Sequence, residues 1–142
     1  MNILLEIITP EKVVLTDEVS EVIVPTESGQ IAILPKHVGL FSKIVPGELI
    51  VKKGENEQII AITGGFLEVS KNKVTILADY AIRAENIEVA KALEAKERAE
   101  ELMKEKTTER ESAMIEGQLR RAILELKVAG KHKTRSPKPT QA

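Results

Sequence analysis

The chain has no cysteine and no tryptophan, and aromatic residues make up only 2% of its 142 positions. Without cysteine, disulfides and thiolate metal sites are excluded. With so few rings, any core must be built from Ile, Val, Leu and Ala. No apolar run approaches the ~20 residues that a membrane-spanning helix needs. A surplus of either charge is also missing: 21 Lys and Arg stand against 22 Asp and Glu, for a net charge of −1. That balance argues against a dedicated nucleic-acid binder, which carries a basic surplus. His37 and His132 are the only imidazoles and lie far apart in sequence, so no histidine metal site is expected. The start, MNILLEIITPEK, lacks a basic n-region and reaches Glu6 early, so it does not read as a signal peptide. A soluble protein of a reducing compartment is the expectation.

What is present falls into two halves of different period. Short β-branched runs recur from residue 1 to 79: Ile3–Ile8, Val19–Val24, Ile31–Leu34, Leu49–Val51, Ile59–Thr63, Phe66–Val69 and Val74–Leu77. Turn formers separate them, among them Ser28-Gly29, Pro46-Gly47, Gly64-Gly65 and Lys71-Asn72. Strands at this spacing, with no helix between them, predict an antiparallel sandwich or barrel rather than a parallel nucleotide-binding sheet. Lys71-Asn72 predicts a tight hairpin, because Asn tolerates positive φ. Gly64-Gly65 invites comparison with a phosphate loop. The Gly spacing and the following Lys-Thr of such loops are absent, and a bulge or tight turn is the expected role.

From about Arg83 the composition shifts to Ala, Leu, Glu, Lys and Arg, which favours helix. Ala92, Ala95, Ala99 and Leu102 repeat at helical spacing, as do Ile115, Leu119, Ala122, Leu126 and Ala129. Asn86 is the expected N-cap of the first helix. Thr108 with Glu111 is a capping-box signature for the second. The short connector around Lys106 and Thr107 predicts an antiparallel hairpin. Gly130 and the prolines after it are expected to end the second helix and leave a disordered basic tail. The resulting organisation is a β-sandwich over 1–84, a helical hairpin over 85–129 and a tail over 130–142. The hairpin seam is largely Ala. A methylene contributes only ~0.8 kcal/mol on burial, so this seam should be marginal and able to rearrange.

Two long segments carry a resemblance. VPTESGQIAILPKHVGLFSKIVPGELIV (24–51) contains Gly29, Leu34-Pro35 and His37 in the spacing of a Gly…Leu/Tyr-Pro-x-His pattern. ITGGFLEVSKNKVTILADYAIRAENI (62–87) contains Gly-Gly-x-Leu-Glu-Val running into Ala-Asp and then the helices. In this order the chain resembles, over about residues 1–128, the epsilon subunits of bacterial F-type ATP synthases. The resemblance implies a sandwich of about ten strands followed by a two-helix hairpin, in a non-catalytic subunit of the central stalk. Such a subunit couples proton-driven rotation to ATP synthesis and restrains ATP hydrolysis through its C-terminal helices. A purely structural coupler between gamma and the ring is the alternative. The implied partners are the gamma subunit, the membrane ring of c subunits and the catalytic alpha and beta subunits, with no nucleic acid. The implied place is the cytoplasmic face of the bacterial membrane, as a peripheral protein.

By the same resemblance Gln30, Ile31, His37, Val38, Leu40 and Phe41 sit in the region presented to the ring and gamma. Gln30 stands where relatives often have an acid. For His37 a local loop hydrogen bond is the competing reading, and for Leu40 and Phe41 it is ordinary core packing. Arg120, Arg121 and Lys127 would face an acidic segment of the beta subunit. IEVAKA (87–92) aligns with an ATP-binding motif of some epsilon subunits. Glu88 and Lys91 depart from its Asp and Arg. Arg98 and Arg121 fall where further basic contacts would be, and Glu125 stands in place of a third Arg. Lys cannot offer the bidentate fork of Arg. No cofactor is therefore expected beyond a weak regulatory ATP site at Glu88, Lys91, Arg98 and Arg121. The competing reading there is a solvated face with pairs Glu94–Arg98 and Glu116–Arg120.

Overall fold

The structure, a computed structural model, describes residues 1–105 and 108–135, the last three by their backbone alone. It divides into two compact units, Met1–Arg83 and Ala84–Ala142. The connector at Lys106 and Thr107 and the tail beyond residue 135 lie outside the described residues.

Ten strands make up the first unit: β1 (Ile3–Ile8), β2 (Val13–Val19), β3 (Glu21–Thr26), β4 (Gly29–Ile33), β5 (Leu40–Ile44), β6 (Gly47–Lys53), β7 (Asn56–Ile62), β8 (Gly65–Ser70), β9 (Lys73–Ala78) and β10 (Ala81–Arg83). Residues alternate strictly between the buried and the outer face along β1 and β3, as a half-buried strand requires. Their inward side chains, with Ile33, Ile44, Leu49, Leu67 and Ile76, fill an aliphatic core. The strands follow one hydrogen-bonded path, β10-β7-β6-β3-β5-β8-β9-β1-β2, with β4 paired to β3. Side chains then fasten β2 and the β2–β3 link to β6, and β2 to the opposite end strand β10. Lys53 Nζ donates to both Asp17 oxygens at 2.9 and 3.1 Å. Ser20 Oγ donates to the Lys52 carbonyl at 2.8 Å and accepts from Gly54 N–H at 3.1 Å. Arg83 donates to the Val14 carbonyl at 3.0 Å, tying β10 to β2. The result is a nearly closed sandwich.

Several sequence expectations change. The run Val19–Val24 is not one strand: it breaks at Ser20 between β2 and β3. β2, β5 and β10 were not visible as separate runs, because Asp17-Glu18 and Ser42-Lys43 dilute their apolar pattern. One pair, β1 with β9, is parallel rather than antiparallel. These strands are joined through most of the sandwich, so no hairpin dictates their direction. Lys71 and Asn72 both have positive φ (50° and 59°) in the two-residue β8–β9 turn, the geometry a tight hairpin demands. Gly65 is required for a different reason than a bulge. A Cβ there would lie 2.0 Å from the Leu77 carbonyl oxygen, and its φ is +142°. The glycine lets β8 pass between β5 and β9.

The second unit begins with a 3₁₀ turn (Ala84–Asn86), followed by α1 (Val89–Met103) and α2 (Glu109–Arg135). The helices pack on each other as an antiparallel hairpin, and the 3₁₀ turn packs on α2. Asn86 is not the N-cap of α1. The Ile87 N–H closes the 3₁₀ turn onto Ala84 O, and Glu88 takes the cap position without a side-chain cap bond. Thr108 does cap α2: its Oγ1 accepts from Glu111 N–H at 3.2 Å. The α2 stripe holds, with Ile115 and Ala122 buried and Leu119, Leu126 and Ala129 half-buried. On α1 the buried positions are Ala92 and Ala99. Ala95 is exposed, and the Lys96 stem is half-buried in its place. Gly130 does not end α2, which continues to Arg135. A helical glycine costs only about 1 kcal/mol relative to Ala, too little to stop a helix flanked by good formers.

Candidate partner interface

The loop from Leu34 to Gly39 is built by short-range bonds. His37 N–H donates to Leu34 O at 3.1 Å, and Lys36 adopts φ 66°. His37 Nδ1 lies 2.7 Å from the Val38 carbonyl, so the ring spends its Nδ1 hydrogen on a local bond. The Asn72 side chain reaches this loop from the β8–β9 turn. Its Oδ1 accepts from Lys36 N–H at 2.8 Å, and its Nδ2 donates to Asn2 O at 3.0 Å. Val38 is left 77% exposed at the loop tip.

Of the paired candidates Leu40 and Phe41, the alternation of β5 separates the two. Leu40 packs against the core, as does Ile31 on β4. Phe41 points out, 69% exposed, and stacks on Phe66 with ring centroids 5.7 Å apart. Gln30 is exposed on β4. Sequence reasoning missed the neighbours of Phe41. Register places Phe66 opposite Leu77, Leu77 opposite Ile8, and Ile8 opposite Val13. Phe66, Leu77 and Val13 are all exposed, so an apolar row crosses the outer face of four strands beside Phe41. The period of two already pointed to it. With Leu67 and Val69 inward, Phe66 has to face out.

On the helices, Arg120 pairs with Glu116 at 3.3 Å, and Arg121 with Glu125 at 3.2 Å. Lys127 is exposed on the same helix. Glu88 and Lys91 form an i, i+3 pair at 2.8 Å, and this carboxylate holds the Lys91 ammonium above its ordinary pKa. Among the described residues no ion pair joins Glu94 to Arg98, and Lys96–Glu100 at 3.9 Å is found on α1. Two of the four residues considered for nucleotide binding are thus engaged with carboxylates. No group of His, Asp or Glu among the described residues could hold a metal ion. No helix among them is long and apolar enough to cross a membrane.

A nearly closed ten-strand sandwich with an apolar outer row, continued by two C-terminal helices, defines a class of two-part, β-sandwich-plus-long-helix chains. Residues 2–84 match the family described as ATP synthase, Delta/Epsilon chain, beta-sandwich domain, and residues 85–130 match the long alpha-helix domain of the same chain. The ATP synthase epsilon chain of Dehalococcoides mccartyi is 45% identical over 130 residues, covering 91% of this chain and 93% of that one. The epsilon chain of Herpetosiphon aurantiacus is 44% identical over 129 residues, covering 91% and 95%. A chain in the cryo-EM structure of the Euglena gracilis mitochondrial ATP synthase (OSCP/F1/c-ring) superposes with a TM-score of 0.71 at 25% identity, covering 92% of this chain and 82% of that one. The chain belongs to the ATP synthase delta/epsilon family, as a bacterial epsilon-type chain. It is an accessory subunit of that synthase and not itself catalytic.

Proposed function

We propose that this chain is a rotor subunit of the central stalk, which couples proton-driven rotation to ATP synthesis and restrains ATP hydrolysis through its C-terminal helices. The observation that carries this is the contrast between its two units. The sandwich is packed with Ile, Leu and Val, whereas α1 contributes only Ala92 and Ala99 to the fully buried side of the hairpin. A firmly built grip and a loosely built arm suit a part that must hold a shaft while its helices change position. Gamma would dock on the outer row of Phe41, Phe66, Leu77, Ile8 and Val13. The c-ring would meet the end bearing Gln30 and Val38, with His37 at the contact with gamma. Arg120, Arg121 and Lys127 would face the catalytic subunits. In this reading the chain would sit peripherally on the cytoplasmic side of a bacterial membrane.

Deleting residues 85–142 should leave assembly intact and raise ATP hydrolysis. An unchanged hydrolysis rate would reject the brake and leave the structural coupler. Crosslinking α2 to the beta subunit at low ATP separates the two in the intact enzyme, because the coupler predicts no product. A regulatory ATP site is at most weak here, since Glu88 and Glu125 compete with phosphate for Lys91 and Arg121. Calorimetry with MgATP should show no tight binding.

A further inference from the structure

Three strands of the sandwich have no hydrogen-bonded neighbour on one side: β2 and β10 at the ends of the path, and β4, which pairs with β3 alone. The first two are guarded. β10 is three residues long, and its Arg83 bonds to the Val14 carbonyl of β2. β2 carries Asp17 and Glu18 and is tied to Lys53. β4 has no such device. Its sequence, Gly-Gln-Ile-Ala-Ile, holds no charge and no proline, and its pairing has no bulge. Among the described residues no side chain bonds to it from a strand other than β3. The direction of its free groups follows from β3. Pro25 O accepts from Val45 N–H at 3.0 Å, and Glu27 N–H donates to Lys43 O at 3.3 Å, which fixes the β5 side of β3. Alternation turns Val24 and Thr26 the other way, onto Ile31 and Gly29 of β4. Gln30 and Ala32 then aim their N–H groups and carbonyls at the outer edge, and both residues are exposed.

We propose that an extended segment of the gamma subunit adds as a strand to this edge, bonded to the backbone of Gln30 and Ala32. An open row of alternating donors and acceptors is matched by another extended backbone, not by a helix or a small molecule. Two N–H groups and two carbonyls are few beside the roughly ten hydrogen bonds of a self-standing interface. The edge is therefore too small to hold a second copy of this chain by itself. It suits a partner anchored close by, whose tethered segment is present at high effective concentration. The inference rests on the reading above that gamma docks on the outer row. Only β3 separates β4 from β5, which carries Phe41 of that row. The Gln30 side chain stands off the plane of the sheet, so a contact between it and the ring leaves its backbone edge available. The added strand would cover Ile31, which is only half-buried, so an aliphatic residue is expected beside it and polar residues at the alternate positions.

The test is amide exchange in the full chain, alone and bound to purified gamma, quenched and read residue by residue by NMR. In the free chain β3 protects Gly29 and Ile31, while Gln30 and Ala32 exchange freely. With gamma bound, Gln30 and Ala32 should slow by about tenfold or more. Ala32→Pro removes a donor that the fold itself does not use, at an edge position where proline is tolerated. Its melting temperature should hold while its affinity for gamma falls about tenfold. Should the variant melt early, the exchange pattern of the native chain decides alone. Unchanged exchange of these two amides in a complex that does form would overturn strand addition and leave gamma docking standing. Failure of the native chain to bind gamma at all would overturn both. Protection that appears only when detergent-solubilised c-ring is added would assign the edge to the ring and overturn the proposal. Slowing in the free chain that grows with its own concentration would assign it to a second copy, with the same consequence.

Discussion

Single residues decide how the sandwich closes. Gly65 is the sharpest case, since backbone of β9 occupies the space of a Cβ. Gly65→Ala should therefore destabilise the fold by at least ~2 kcal/mol, combining a φ that L-residues avoid with a backbone clash. Gly117→Ala is the contrast. That glycine is exposed in α2 with nothing within 4 Å of a new Cβ, so the change should stabilise by about 0.5–1 kcal/mol. Urea denaturation of both variants checks the pair. Asp17 works through charge. Its hydrogen bond to Lys53 holds the carboxyl below its ordinary pKa. A depressed carboxylate supports the fold above its unfolded pKa, and that support is lost as pH falls through the folded value. Asp17→Asn should flatten the acid limb of the stability curve below about pH 4 and leave a small, salt-sensitive loss at neutral pH, because the pair is exposed.

At the scale of elements, the helices depend on local devices and the strands on distant ones. Thr108→Ala removes the side-chain acceptor at the start of α2 and should cost about 1 kcal/mol of helix stability. Faster hydrogen exchange confined to the first turns of α2 would register it. β5 and β8 turn the rings of Phe41 and Phe66 outward rather than into the core. Phe41→Ser with Phe66→Ser should leave the melting temperature nearly unchanged, since both are largely exposed, yet weaken co-purification with gamma about tenfold or more. Much of this scale was legible beforehand. Lys71-Asn72 announced its turn, and Thr108 with Glu111 announced its cap. Asn86 misled because the 3₁₀ turn ahead of α1 is closed by Ala84 and Ile87, residues without a capping side chain. Gly130 misled because propensity is a small term beside the rest of a 27-residue helix.

For the molecule as a whole, unequal packing of the units is the property that links structure to function. Hydrogen exchange should find the most protected amides in β1, β3 and β6, with α1 opening at a much lower free energy. Equal protection in the two units would remove the physical basis of a movable arm. The sequence by itself determined the aliphatic core, the switch from period two to helical period near Arg83, and the turn chemistry. All of these are local patterns that each segment carries wherever it goes. Only the tertiary structure decided that β1 runs parallel to β9, that Phe66, Leu77, Ile8 and Val13 line up with Phe41, and that Asn72 in the β8–β9 turn bonds to both Lys36 and Asn2. Each of those needs residues tens of positions apart to meet, and the spacing of residues along a chain does not encode which distant strand will become a neighbour.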